Sequence, residues 1–253
     1  MFCSHFFVPL RHICRSDRSV MRIVKIIFSS LAAAVIAGCQ QDKFQVKGEI
    51  DGADDGVLYF ENVGLSGIEV LDSAKLSGDG SFSFSHAAPE APEFYRLRLG
   101  DQIINISVDS TETITVKAKA PAIATQYEVE GSDNCEKIRQ LSQMHSRLQQ
   151  QVFAVEQDTR LMGQTMADSL NTLIRQYKDS VMLNYIFEQP QSAYAYFALS
   201  QTLSHLYWPV SSVFSLSDSL DGRAYRAVAT CWKEYYPESE RAQQLYNMVE
   251  RDI

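Results

Sequence analysis

The sequence predicts an α+β protein in which an N-terminal antiparallel β-sandwich is followed by a separate all-helical domain. Two observations predict this order. Residues 44–131 carry short runs of alternating apolar and polar side chains, rich in β-branched and aromatic residues and separated by Gly, Asp, Asn and Pro turns. From residue 132 to 253 the apolar side chains recur every three or four residues, the period of a helix face. Because no helical stretch separates the strands, we expect the sheets to be antiparallel.

The strands follow from the period-two pattern. Residues 81–85 alternate perfectly, which places Phe82 and Phe84 on one face, and the preceding Gly78-Asp79-Gly80 predicts a tight turn. At a spacing of roughly ten residues, further strands are predicted over 44–47, 57–60, 68–76, 94–99, 103–108, 113–117 and 127–129.

The helices follow from the period of the second half. A helix is predicted from Asn134 to a break near 158–163, and a second one continues the apolar stripe to Val181. Pro190 then stops the pattern because it lacks an N–H group. Ser192 is a suitable N-cap for a third helix, and Ser217 or Asp218 for a fourth. The last three helices are predicted over 193–206, 218–235 and 238–251.

The N-terminal region is predicted to be a secretion signal. Arg22 and Lys25 precede an apolar run over 26–37, which is too short to span a bilayer. The letters IAGC at 36–39 resemble the bacterial lipobox, so residues 21–38 are predicted to be a lipoprotein signal peptide and Cys39 the lipidated residue. Residues 39–43 would then be a tether, and residues 1–20 a gene-model extension. We expect a location in the cell envelope, at the outer membrane facing the periplasm, with surface exposure left open by Asp42.

The charge balance excludes one class of function. The chain of 253 residues has a formal charge of −8, and no Lys/Arg cluster lies beyond the first 25 residues. Nucleic-acid binding needs a basic face, so we expect no nucleic-acid partner. Removal of residues 1–38 would remove five Lys/Arg and one Asp, leaving 215 residues with a charge of −12.

Three local patterns together resemble a known family. The first consists of strands with the letters GVLYF at 56–60, GSFSF at 80–84 and PEFYRL at 92–97. The second is VEGSDN at 129–134, and the third is the pair of helix entries QPQS at 189–192 and YPESE at 236–240. In this order, and with the lipobox, residues 44–246 resemble the domain of unknown function 4369 (DUF4369) family of Bacteroidetes lipoproteins.

The resemblance implies a thioredoxin-like thiol-disulfide oxidoreductase module after this region, with a Cys-x-x-Cys pair that supplies a low-pKa thiolate. The sequence has no Cys-x-x-Cys, so no residue matches a redox motif position and the activity is not carried over. We therefore predict a lipid-anchored cell-envelope protein, not an enzyme, that acts as a non-catalytic binding or scaffolding module. The alternative is the N-terminal portion of a thiol-disulfide oxidoreductase lipoprotein, truncated or split from its thioredoxin-like domain.

Few residues are candidates for a site. Cys135 and Cys231 could form a disulfide between helices or be small buried apolar residues. Aromatic side chains could line a groove for a peptide or glycan, or fill the helical core, and the candidates are Tyr194, Tyr196, Tyr207 and Trp208. No catalytic residue, metal site or cofactor is expected. The expected partners are the membrane, through the anchor, and an envelope protein, peptide or glycan.

Overall fold

Strand β1 (Lys43–Asp51) lies inside the first of two sheets. The computed structural model describes residues 42–53 and 55–251. β1 pairs antiparallel with β4 (Ser81–Ala87) and parallel with β7 (Thr113–Lys119), and β8 (Tyr127–Glu130) completes a sheet of order β4-β1-β7-β8. The parallel pair departs from the purely antiparallel prediction. No hairpin turn dictates its direction, because five strands separate β1 from β7 in the sequence.

The second sheet is antiparallel throughout and has the order β3-β2-β5-β6. Its strands are β2 (Val57–Gly64), β3 (Gly67–Lys75), β5 (Glu93–Leu99) and β6 (Gln102–Val108). All eight predicted strands are therefore confirmed. The two sheets enclose an apolar core in which four aromatic rings lie 5.0–6.1 Å apart, those of Phe44, Phe60, Phe84 and Tyr95.

A buried carboxylate lies on the second sheet beside a β-bulge between Phe60 and Glu61. Glu61 is 2% exposed and accepts hydrogen bonds from Arg96 Nε at 2.5 Å and Arg98 Nε at 2.8 Å. The Arg98 guanidinium also lies 4.3 Å from the centre of the Tyr59 ring. Burial alone would raise the pKa of Glu61, but the hydrogen bonds and charges of Arg98 and Arg96 outweigh it and hold that pKa below its ordinary value.

Five α-helices follow the sandwich. They are α1 (Asp133–Gln157), α2 (Gln164–Val181), which continues into a π-helical turn (Met182–Ile186), α3 (Ala193–Leu199), α4 (Ser219–Tyr235) and α5 (Glu240–Arg251). The predicted N-cap of α3 is confirmed, and of the two candidates for α4 the structure has Asp218. Ser192 Oγ accepts a hydrogen bond from the backbone N–H of Ala195, and Asp218 accepts from those of Leu220 and Asp221.

The prediction of a helix over 193–206 is wrong in its second half. α3 ends at Leu199, and β9 (Thr202–Leu203) pairs with β10 (Ser211–Ser212) in a small antiparallel sheet. The chain leaves the helix because Gln201 is held from two sides. Its carbonyl accepts a hydrogen bond from Val213 N at 2.9 Å, and its buried side chain accepts one from the Tyr177 hydroxyl. The second half of the chain is thus predominantly, not entirely, helical.

The helical part packs directly on the sandwich. α1 runs beside β6 and β8, and Cys135 and Ile138 near its start are fully buried. Strand β5 connects the two cores, because Phe94 packs among the helices while Tyr95 packs between the sheets. Among the described residues, no helix combines the length and the apolar composition needed to cross a membrane.

Candidate functional site

A cleft of about 620 Å³ opens where the sandwich meets the last two helices. We call it the junction cleft. One wall is the tip of the β2–β3 hairpin, residues 64–66 with Asn62, and the second is the loop at 89–91 together with Glu93. The turn between α4 and α5, residues 235–240, and Arg241 complete it. A cleft of this size lies in the range of ligand-binding sites.

Arg241 fixes the geometry of the junction cleft. Its side chain is 7% exposed, and its Nε donates to Glu93 Oε2 at 2.8 Å. A second guanidinium nitrogen donates to the carbonyl of Val63 at the end of β2, and the guanidinium carbon lies 5.1 Å from the centre of the Phe94 ring. One side chain at the start of α5 is therefore bonded to two strands of the sandwich. This arrangement keeps the two walls at a fixed separation.

Aromatic rings support the cleft from below. Trp232 is fully buried and lies 4.5 Å from the Tyr196 ring and 5.2 Å from the Tyr236 ring. Phe94 stacks on Tyr196 at 5.5 Å, and Trp232 Nε1 donates to the carbonyl of Ser192 at 3.2 Å. Burial raises the pKa of the Tyr196 and Tyr236 hydroxyls, so both rings are neutral at physiological pH.

The junction cleft is negatively charged. Four glutamates and one arginine line it, which gives a formal charge of −3, and the glutamates are Glu90, Glu93, Glu238 and Glu240. Only Glu93 is paired with the arginine. Beside them, the Tyr235 ring is 61% exposed. Carboxylates together with an exposed aromatic ring favour a cationic ligand, through ion pairs and cation–π contact.

An apolar sheet edge continues from the cleft. β3 is the edge strand of the second sheet, and most of its residues are exposed. Four large apolar side chains of the β2–β3 hairpin are also exposed, namely Val57, Leu65, Ile68 and Val70. Leu65 lines the cleft itself, so the edge and the cleft are continuous at the hairpin tip. An exposed edge strand with apolar side chains is a typical surface for the addition of a further strand.

Residues 44–138 match the model of a family described as "Domain of unknown function (DUF4369)". The predicted resemblance to DUF4369 is confirmed over these residues, whereas its predicted extension to residue 246 stays a prediction. The matched residues include all of the sandwich except Lys43, the first residue of β1, and also the first turn of α1. The hairpin tip, the loop at 89–91 and Glu93 thus lie inside the DUF4369 region, whereas Arg241 and the α4–α5 turn lie outside it.

Solved structures resemble the chain only weakly. (S)-allantoin synthase is 6% identical over 46% of this chain and 54% of its own, with a TM-score of 0.27. The "putative cell adhesion protein" of Bacteroides ovatus is 12% identical over 36% and 43%, with a TM-score of 0.21. The 9R-lipoxygenase of Cyanothece is 9% identical over 71% and 38%, with a TM-score of 0.20. The matches span about half the length of these proteins or less, and no curated protein matches the sequence.

The structure separates the predicted thiols. Cys39 lies outside the described residues. Of the alternatives for the other two, the disulfide is not formed, since Cys135 and Cys231 are both free. Cys135 lies in the core of the DUF4369 region, where its Sγ donates to the carbonyl of Ser107 at 3.1 Å, whereas Cys231 lies on α4. Burial raises the pKa of Cys135 to about 12 and also raises that of Cys231, so neither thiol is an activated thiolate.

The predicted aromatic groove is not formed. Tyr194 is buried beside Tyr185 in the helical core, and Tyr196 packs on Phe94 and Trp232 under the junction cleft. Tyr207 and Trp208 are exposed in the loop that joins β9 to β10. The four rings are separated because α3 ends at Leu199 and the chain turns into the β9–β10 hairpin, whose exposed loop carries Tyr207 and Trp208.

No sequence pattern indicates a role for Arg241 or the presence of the junction cleft. Arg241 lies 148 residues from its partner Glu93, and its position in α5 resembles that of a solvent-exposed helix residue.

In residues 42–53 and 55–251, no three His, Cys, Asp or Glu side chains are grouped so that they could hold a metal ion.

Proposed function

We propose that this protein is a lipid-anchored cell-envelope binding module whose junction cleft holds an extended, positively charged polypeptide segment. The observation that carries the proposal is the junction cleft, with its charge of −3, its exposed Tyr235 and a rigid floor around Arg241. The lipobox-like IAGC at 36–39 supports the location.

A polypeptide suits this surface better than a compact ligand. The cleft opens directly onto the edge of β3, whose backbone can add hydrogen bonds to a neighbouring extended chain. Ile68 and Val70 offer apolar contact along that edge, while Glu238 and Glu240 offer charge in the cleft. Backbone pairing supplies affinity and the acidic cleft selects for lysine or arginine side chains.

We expect a fluorescein-labelled (Lys-Thr)4 peptide to bind the protein in an anisotropy titration, and (Glu-Thr)4 to bind at least tenfold more weakly. The double variant Glu238→Gln/Glu240→Gln should bind (Lys-Thr)4 about fivefold more weakly, since each exposed ion pair contributes up to about 1 kcal/mol. The affinity should also fall as salt is added.

Glu49→Gln is the matched control, because Glu49 is an exposed glutamate on β1, away from the cleft. It should leave the affinity unchanged. Equal binding of the two peptides, or an equal loss in the Glu49 variant, would show that only the overall acidity attracts the probe.

The anchor is tested separately by the intact mass of the full-length protein, expressed in a bacterial host that processes lipoproteins and extracted in detergent. We expect the mass of residues 39–253 plus a diacylglyceryl group and an amide-linked acyl chain. Cys39→Ser should carry neither group. A mass that includes residues before Cys39 contradicts the proposed anchor, whatever the peptide titration shows.

A further inference from the structure

Three side chains, one at the end of α1 and two in the β9–β10 hairpin, form a continuous chain of hydrogen bonds. Glu156 Oε1 lies 2.7 Å from His205 Nδ1, and His205 Nε2 lies 3.1 Å from Ser211 Oγ. Glu156 is buried, the side chain of His205 is 11% exposed, and Ser211 is exposed to solvent. We call these residues the Ser–His–Glu array. They lie at positions 156, 205 and 211, so no short sequence motif contains all three.

The order of the contacts fixes the role of each group. The second carboxylate oxygen of Glu156 accepts a hydrogen bond from Leu206 N at 2.8 Å, so the carboxylate is held on both oxygens. Because a carboxylate can only accept, Nδ1 of His205 must carry the hydrogen that lies between them. In the neutral imidazole, Nε2 is then an acceptor that faces the Ser211 hydroxyl. A buried carboxylate, a histidine and an exposed serine in this order are the arrangement that activates a serine nucleophile.

The surroundings of Ser211 indicate the kind of substrate. The loop between His205 and Ser211 exposes four large apolar side chains, those of Leu206, Tyr207, Trp208 and Val210. Trp208 meets His205 edge-on, with ring centres 6.1 Å apart. No charged residue occurs from Leu206 to Ser217. An apolar surface next to a nucleophile favours an uncharged ester with an alkyl chain.

We propose that the Ser–His–Glu array is an acyl-transfer site that hydrolyses alkyl esters, an activity beyond the binding proposed for the junction cleft. Ser211 Oγ bonds to the ester carbonyl carbon while His205 Nε2 takes the hydroxyl proton. The bond from that carbon to the alkoxy oxygen then breaks, and the imidazolium returns the proton to the departing alcohol. Water, deprotonated by His205 Nε2, then bonds to the acyl carbon, and the bond from that carbon to Ser211 Oγ breaks. The imidazolium returns the proton to Oγ, which releases the carboxylic acid and regenerates Ser211. Glu156 is a positioning residue that holds the tautomer and orientation of His205.

The test is covalent labelling of the full chain with an alkyl fluorophosphonate, in which the serine oxygen bonds to phosphorus and fluoride leaves. We expect a single adduct by intact mass and its location on Ser211 by peptide mapping. Ser211→Ala should give no adduct. Ser212→Ala removes the neighbouring exposed hydroxyl and should be labelled at the wild-type rate.

Two further variants separate activation from mere exposure of the hydroxyl. His205→Asn and Glu156→Gln should each slow labelling by at least about 100-fold, and both should slow p-nitrophenyl butyrate hydrolysis in parallel. Each variant is checked by circular dichroism, and Glu156→Gln keeps the size of the buried side chain. Labelling of Ser211 at the same rate without His205, no adduct on wild-type Ser211, or an adduct in folded Ser211→Ala each overturns the proposal.

Discussion

Replacement of Trp232 by alanine should lower the free energy of unfolding by about 3–5 kcal/mol, the loss found when a large buried aromatic side chain is truncated. Trp232 is fully buried and contacts Phe94, Tyr196 and Tyr236, so its removal leaves a cavity between the helical core and the sandwich. It also leaves the carbonyl of Ser192 without the indole donor, just before α3 begins. Urea denaturation followed by circular dichroism measures the change.

Trp208 provides a matched control, because the chain has only two tryptophans and this one is 51% exposed. Trp208→Ala should change the free energy of unfolding by less than about 1 kcal/mol. Equal destabilisation of the two variants would contradict the burial of Trp232. A loss confined to Trp232→Ala should be accompanied by weaker binding of (Lys-Thr)4, since Tyr236 lines the junction cleft and rests on the Trp232 ring.

Replacement of Glu61 by glutamine should be the second large effect, with a loss of about 2–4 kcal/mol in the free energy of unfolding. Loss of one partner from a buried ion pair leaves the other charge uncompensated, and here two guanidiniums depend on one carboxylate. The lower end of the range applies if Arg96 and Arg98, which are 19% and 28% exposed, turn toward solvent. Thermal and urea unfolding at pH 7 give the value.

The contribution of Glu61 should depend on pH in one direction. Its pKa is lowered in the folded protein, so the carboxylate stabilises the fold fully above the unfolded pKa and loses this contribution as the pH falls through the folded pKa. The difference between wild type and Glu61→Gln should thus be constant well above the ordinary glutamate pKa of 4.5 and shrink as the pH falls toward that value and below it. Asp55→Asn removes an exposed partner of Lys75 and is the control. It should show neither the loss of unfolding free energy nor its dependence on pH.

Local pattern was sufficient to predict the strands. Phe82 and Phe84 alternate with serines, and both rings lie in the sandwich core, because a strand with one buried face must repeat every two residues. The start of α1 was equally predictable, since Ser132 precedes a helical stripe and Ile138, Leu141 and Leu148 are all buried. These features depend only on residues that are neighbours in the sequence.

The sequence-based predictions are wrong where contacts between residues far apart in the sequence determine the structure. Residues 200–206 continue an apolar pattern that suits a helix, yet contacts of Gln201 with Tyr177 and Val213 direct the chain into β9 instead. The junction cleft likewise depends on Arg241 meeting Glu93 and Val63, and the Ser–His–Glu array on Glu156 meeting His205 across a gap of 49 residues. The periodicity of the sequence does not indicate such contacts, because they depend on how the helices and strands pack against one another.

The position of β1 has a mechanical consequence. The first described strand is bonded on both sides, to β4 and to β7, so it cannot be peeled from the sheet one hydrogen bond at a time. A pull on the residues before Lys43 acts along the strand, while the ladder bonds to β4 are perpendicular to it and those to β7 are slanted. Those bonds share the load and must fail together. The fold is therefore built to resist tension at its N-terminal end, where a protein held by its first residues would be loaded.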